Sequence, residues 1–182
     1  MNDCITPTEH EHVFRWLYEL IKTAPYDIKT TAAQHYRRVV VQQRMREKRI
    51  DAGDIRYEHA ITTDHASMID GLKRAPKGVN DGNGFVFVSH TGDVMPSGLL
   101  PIVCDNVREQ PLSHIYRESE VMKQLRQPDL YKGKCGICEF RYVCGGSRAR
   151  AYAVTGDYME SEPFCVYVPL GMRREKTRTV FA

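Results

Sequence analysis

Four cysteines in the last third of the chain constrain its folding more than any other feature. They are spaced as C-x2-C-x5-C-x20-C, and two glycines directly follow the third cysteine. Two thiolates separated by two residues can reach one metal centre from a single tight turn, and Gly136 between the first pair relieves crowding there. Structural zinc and an iron-sulfur cluster both accept four thiolates, so the spacing predicts a metal centre without naming the metal. The predicted ligands are Cys135, Cys138, Cys144 and Cys165.

The remaining two cysteines do not fit the ligand pattern. Cys104 follows the apolar run 99–103, where a small buried hydrophobic side chain is the favoured interpretation. Cys4 lies near the start of the chain, and its position predicts no role.

Size and charge narrow the class of protein. A chain of 182 residues with 42% hydrophobic content can bury a core in one domain or two small ones. Its formal charge of +3 is too small to indicate nucleic acid or a membrane surface as a partner. We find no apolar run of membrane-spanning length and no signal-peptide pattern, so we expect a cytoplasmic protein. In that reducing compartment, clustered cysteines are expected to be ligands rather than disulfides.

The first 70 residues are predicted to form helix, strand and helix. Apolar side chains recur at helical spacing from Val13 to Ile21, and Pro25 ends that pattern. Residues 26–30 are predicted to form a short strand, and a second helix is predicted from about 31 to 49. A lone strand between two helices needs other strands to pair with, so we expect residues 1–70 to be a remnant of a larger sheet structure.

The second half is predicted to be a small α+β domain. Residues 71–84 are rich in glycine and polar side chains, which indicates a linker or long loop before a domain at 85–182. A β-hairpin is predicted near 85–95, and one or two short helices are predicted across 112–125. Residues 147–154 favour a helix that ends at Gly156.

Residues 135–148, together with Gly156-Asp157 and 163–165, resemble the SPASM region at the C-terminus of radical SAM enzymes. Residues 92–97 resemble the strand-turn segment that precedes the auxiliary cluster in that family. Residues 1–49 look like the last helix-strand-helix units of its partial (β/α) barrel. The resemblance implies the end of a partial barrel followed by a SPASM-like domain.

In the family, the C-terminal cysteines hold an auxiliary 4Fe-4S cluster, and the resemblance carries that role to the four predicted ligands. Many members have a further cysteine where this chain has Ser97, so the resemblance implies one auxiliary cluster rather than two. A small structural zinc module that serves in binding is the alternative from a different class.

The family's catalytic cluster needs C-x3-C-x2-C to bind S-adenosylmethionine, and that spacing does not occur in this sequence. We therefore expect the C-terminal portion of a truncated or split enzyme, inactive alone, whose barrel is supplied in cis or in trans. S-adenosylmethionine would bind only in a full-length or reconstituted enzyme. The resemblance implies hydrogen abstraction from a peptide or, with a slight preference, from a tetrapyrrole side chain.

Two groups of arginines leave their roles open. The basic run from Arg37 to Arg49 is predicted to be mainly a solvated helix face, although it would also suit an acidic substrate or partner. Arg148 and Arg150 would either contact the cluster or substrate, or pair with glutamates at 160 and 162. The histidines, His35 among them, are scattered, so no second metal site is predicted.

Overall fold

The computed structural model describes residues 4–26, 28, 30–48 and 80–173. These residues form two long helices, a small antiparallel sheet and several short helices around the cysteines. In chain order the elements are α1 (Pro7–Leu20), α2 (His35–Lys48), β1 (Phe87–Val88), β2 (Asp93–Met95), β3 (Asp105–Asn106), α3 (Leu112–Glu118), α4 (Glu120–Leu125), a 3-10 helix (Pro128–Leu130), α5 (Gly133–Gly136) and α6 (Arg148–Thr155).

Helix α1 confirms the first predicted helix, and its start has a clear local cause. The Thr6 hydroxyl accepts a hydrogen bond from the Glu9 backbone N–H at 3.2 Å, and the Glu9 carboxylate accepts one from the Thr6 backbone N–H at 2.6 Å. This reciprocal capping box satisfies two N–H groups that lack partners within the helix, and Pro7 fits the first position because it has no N–H to lose.

The second predicted helix begins later than expected, at His35. The described residues of the predicted strand, Tyr26, Ile28 and Thr30, are not in a strand, while Asp27 and Lys29 lie outside the described residues. The predicted partial barrel stays a prediction.

Helices α1 and α2 pack against each other through an aromatic and aliphatic core. Phe14 and Tyr18 from α1 meet Tyr36, Val39 and Val40 from α2, and all five side chains are buried. Burial of such side chains stabilises the helix pair by about 1.5–3 kcal/mol each before entropy costs.

The three short strands form the order β1-β2-β3, with antiparallel pairing throughout. Val88 pairs with Val94, and Gly92 occupies the turn with φ +95°, which confirms the predicted hairpin. Buried Val94 packs with Ile115 and Met122 from the two predicted short helices.

Residues beside the hairpin fix the cysteine-containing segment to the rest of the fold. The Asn80 side chain donates to the Cys144 backbone carbonyl at 3.2 Å and accepts from Arg37 at 2.9 Å. The Asp81 carboxylate accepts the Ala149 backbone N–H at 3.1 Å, near the start of α6. Residues 71–79 of the predicted linker lie outside the described residues, and the predicted domain boundaries remain predictions.

Helix α6 confirms the helix predicted after the third cysteine. The Ser147 side chain caps its start by accepting the Arg150 backbone N–H, and Gly156 ends it with φ 78°. Among the helices that the structure describes, none has the length and apolar character needed to cross a membrane.

Candidate metal centre

Local structure places the four predicted ligands around one space. Cys135 lies in the single turn α5, Cys138 follows that turn, and Cys144 ends the next loop. A Cβ atom at Gly136 would lie 1.9 Å from the Tyr131 carbonyl oxygen, so the tight turn between the first two cysteines requires glycine. This close approach confirms the interpretation of the glycine from sequence.

All four cysteines line the same cavity, whose empty volume is about 370 Å³ including its open mouth. Cys144 is buried, and the other three are partly buried. Among residues 4–26, 28, 30–48 and 80–173, no three His, Cys, Asp or Glu side chains are arranged around a single-ion site. Cys104 packs elsewhere, against the Val94 cluster, as predicted, and Cys4 is exposed.

Three N–H groups approach the cysteine sulfurs. The Gly146 backbone N–H donates to Cys144 Sγ at 3.4 Å, and the Glu162 backbone N–H donates to Cys135 Sγ at 3.3 Å. Arg148 Nη2 lies 3.5 Å from Cys135 Sγ. Donors placed on sulfur favour a negatively charged thiolate or metal-thiolate centre.

The two glycines after Cys144 make this approach possible. Gly145 and Gly146 both have φ +65°, which side chains rarely adopt. A Cβ at Gly146 would lie 2.9 Å from Glu162 Cβ and 3.4 Å from Cys135 Sγ. The glycines therefore serve both the turn and the close packing around the sulfurs.

Glu162 connects the ligand segments to one another. Its side chain is fully buried, and its carboxylate accepts the Ser147 backbone N–H at 2.7 Å and the Phe164 backbone N–H at 3.1 Å. Arg150 Nη1 donates to the same carboxylate at 3.0 Å. The backbone N–H of Glu162 donates to Cys135 Sγ. Glu162 therefore holds residues 162–165, which we call the return segment and which end in Cys165, against Cys135.

The prediction of a solvated basic face is wrong for Arg38, which is buried, while Arg46 of the same run is exposed and Arg49 lies outside the described residues. Arg38 is only 2% exposed, lines the cavity and makes two hydrogen bonds to the Glu11 carboxylate at 3.0 and 2.5 Å. Arg148 is fully buried and donates to the carbonyl oxygens of Tyr158 and Glu160 at 3.2 and 2.7 Å. Arg38 is therefore already paired with a carboxylate, whereas Arg148 contacts carbonyl oxygens and Cys135 Sγ, so the buried charge of Arg148 favours an anionic occupant.

Burial in this site shifts the pKa of several side chains. Burial raises the pKa of the Cys138 thiol to about 12 and also raises the pKa of Cys144 and Cys165. Burial, followed by the charges of Arg150 and Arg38, lowers the pKa of His35 to about 3. The thiols of Cys138, Cys144 and Cys165 are therefore neutral at pH 7, and a metal centre would have to displace their protons on binding.

The residues present fit a metal-thiolate centre. Four cysteines, sulfur-directed N–H groups and buried cations converge on one cavity. The structure places the four predicted cysteines on one cavity, while their role as ligands stays a prediction. The sequence did not indicate His35, Arg38 or Glu162 as further residues of that lining. These three lie far from the cysteines or carry no metal-binding spacing, so only the packing of α2 and the return segment brings them near.

No protein-family model matches the chain. It is 42% identical over 168 residues to the AdoMet-dependent heme synthase of Methanosarcina barkeri, which is 92% of this chain and 44% of that protein. The enzyme of the same name from Nitratidesulfovibrio vulgaris is also 42% identical, over 92% of this chain and 42% of that protein.

A second group of relatives matches a shorter stretch. The PqqA peptide cyclase of Rhizobium meliloti is 35% identical over 89 residues, which is 48% of this chain and 23% of that protein. The chain spans less than half the length of the curated relatives described here. Over 92% of its own length, the chain is thus similar to proteins named AdoMet-dependent heme synthase.

Proposed function

We propose that this chain holds one auxiliary 4Fe-4S cluster and is the auxiliary-cluster portion of a radical SAM oxidoreductase. The observation that carries the proposal is the single cavity lined by all four cysteines, with N–H groups directed at two of the sulfurs. A cluster with four thiolate ligands is an anion, and the buried cations around the cavity would offset its charge. The proposed ligands are Cys135, Cys138, Cys144 and Cys165.

The other residues of the site would have separate tasks. Gly146, Glu162 and Arg148 would donate hydrogen bonds to ligand sulfurs, which stabilises negative charge there. Arg38 would form part of the cavity wall, held in place by its ion pair with Glu11. When bound, the cluster would supply one-electron transfer to or from the reaction.

The proposed substrate is a heme-type tetrapyrrole, acted on at a side chain. Relatives whose name includes heme synthase match 92% of this chain, whereas the peptide cyclase matches 48%. S-adenosylmethionine cleavage would take place in a barrel with its own C-x3-C-x2-C, joined to this portion in cis or in trans. This portion alone would not perform the reaction.

The test of the cluster is a metal analysis of protein purified without oxygen, together with its visible spectrum. We expect about four irons and four acid-labile sulfides per chain. Cys144→Ser should abolish stable cluster binding, because it removes a buried ligand, and Cys104→Ser is the matched control that should leave the iron content unchanged.

Two results would overturn the cluster assignment. About one zinc per chain, with no iron retained after anaerobic reconstitution with iron and sulfide, would favour the structural zinc module. Loss of iron in Cys104→Ser would show that the ligand set is wrong.

The substrate needs a separate experiment. An iron tetrapyrrole with propionate side chains, titrated into cluster-loaded protein, should shift its Soret absorption if this portion contributes to the substrate site. An unchanged Soret band, with the cluster present, would contradict the tetrapyrrole proposal and leave the cluster proposal standing.

A further inference from the structure

His35 is a buried polar side chain at the start of α2. Its side chain is only 1% exposed. In the described part of the chain, neither Nδ1 nor Nε2 has a hydrogen-bond partner. A buried polar group left without a partner costs about 1–3 kcal/mol, so an arrangement of this kind needs a further acceptor or donor to offset it.

One side of the ring is packed against other rings. The Phe14 ring meets His35 edge-on, with centroids 4.6 Å apart, and the His10 ring is tilted at 5.7 Å. These contacts fix the plane of the imidazole but provide no hydrogen bond. His35 is also one of the residues that line the cavity of the four cysteines, so a group bound in that cavity could meet the imidazole.

The charges around the cavity indicate what the imidazole would meet there. Arg38 and Lys134 line the same cavity, and both carry positive charge. The acidic lining residue Glu162 already accepts hydrogen bonds from Ser147, Phe164 and Arg150. A neutral imidazole has one N–H to donate, and an anionic group bound in the cavity among these cations would supply the acceptor.

We propose that His35 donates a hydrogen bond to a sulfur of the iron-sulfur cluster and thereby raises its reduction potential. This role rests on the proposed function, since it requires the cluster on the four cysteines. Reduction adds one negative charge to the cluster, and an N–H directed at sulfur stabilises the reduced form more than the oxidised form. His35 would join the N–H groups of Gly146 and Glu162 from the opposite part of the chain.

The direct test compares reduction potentials. His35→Phe keeps an aromatic ring in the packed site and removes the N–H, whereas His35→Gln keeps an N–H donor. His12→Phe is the matched control, because His12 is exposed on α1. Midpoint potentials would be measured by redox titration of the loaded proteins, followed by electron paramagnetic resonance.

We expect the equilibrium constant for reduction of the cluster to be tenfold smaller in His35→Phe than in the wild-type protein. For a one-electron couple this corresponds to a midpoint potential lower by about 59 mV. His35→Gln should recover part of that loss, and His12→Phe should match wild type. An unchanged midpoint in His35→Phe, at wild-type iron content, would overturn the proposed hydrogen bond.

A second measurement does not depend on the variant remaining folded. In wild-type protein labelled with ¹⁵N-histidine, pulsed paramagnetic resonance of the reduced cluster should detect coupling to an imidazole nitrogen. Its absence in a loaded wild-type protein would also overturn the role of His35. A wild-type chain that takes up no cluster would instead refute the proposed function, and the role of His35 with it.

Discussion

Gly146→Ala is the substitution for which the structure gives the clearest magnitude. Gly146 has φ +65°, and a side chain in this left-handed region costs about 1–2 kcal/mol. The new Cβ would also lie 2.6 Å from Arg148 Nη2 and 2.9 Å from Glu162 Cβ. Both neighbours are fully buried, so neither can move into solvent.

Overpacking of a tight site adds about 1–3 kcal/mol, which gives a total loss of about 2–5 kcal/mol in the free energy of unfolding. Gly156→Ala is the matched control. Its φ is 78°, but no atom of the described residues lies within 4 Å of its Cβ position, so Gly156→Ala should lose only the backbone cost of about 1–2 kcal/mol.

Denaturant unfolding of the anaerobically loaded protein, followed by circular dichroism, would measure both losses. The iron retained after desalting would show whether crowding beside Cys135 Sγ also loosens the cluster. We expect Gly146→Ala to be less stable than Gly156→Ala and to retain less iron. Equal stabilities and equal iron contents for the two variants would refute the packing argument.

Three further predictions follow from the buried contacts. Glu11→Gln should lower the free energy of unfolding by about 3–5 kcal/mol, because it leaves buried Arg38 without its charge partner. Burial raises the pKa of Glu11, but the Arg38 hydrogen bonds and the positive charges nearby together outweigh burial and leave that pKa lowered. The stabilisation from the ion pair should therefore be present above the ordinary glutamate pKa and lost as the pH falls through the lowered value. The free energy of unfolding, measured from pH 7 to 3, should show this loss in the wild-type protein and not in Glu11→Gln. Phe140→Ala should lower the free energy of unfolding by about 3–5 kcal/mol, because Phe140 is only 1% exposed. Ile137→Ala is the control, since Ile137 is 54% exposed and its loss should change that free energy by less than about 0.5 kcal/mol. Similar losses for the two variants in thermal unfolding would contradict the packing described. Tyr131→Phe should lower the free energy of unfolding by about 1–3 kcal/mol, because it removes the 2.7 Å hydrogen bond from the Tyr131 hydroxyl to the buried Leu125 carbonyl. A melting temperature equal to that of the wild-type protein would show that this hydrogen bond does not stabilise the fold.

The elements with strong local signals were the ones that the sequence predicted well. The capping residues at Thr6 and Glu9 start α1, and Ser147 and Gly156 bound α6, so these helices depend on contacts only a few residues apart. The convergence of the four cysteines followed from their spacing, while their role as ligands stays a prediction.

The remainder of the site depends on contacts between distant segments. Arg38 was predicted to face solvent because neighbouring residues in its helix are basic. The burial of Arg38 depends on Glu11 in α1 and on the cysteine-containing segment that lines the same cavity. Periodicity within α2 carries no information about either partner, and the same holds for His35.

The pairing of Arg38 with Glu11 has a consequence for the order of assembly during synthesis. Both residues belong to the α1–α2 pair, which leaves the ribosome before any of the four cysteines. The guanidinium therefore gains its counter-ion from a segment already made, and the helix pair does not wait for the last ligand before its charge is neutralised. If the chain holds the proposed cluster, that cluster would be completed only after Cys165 emerges, beside a helix pair whose residues were all made earlier.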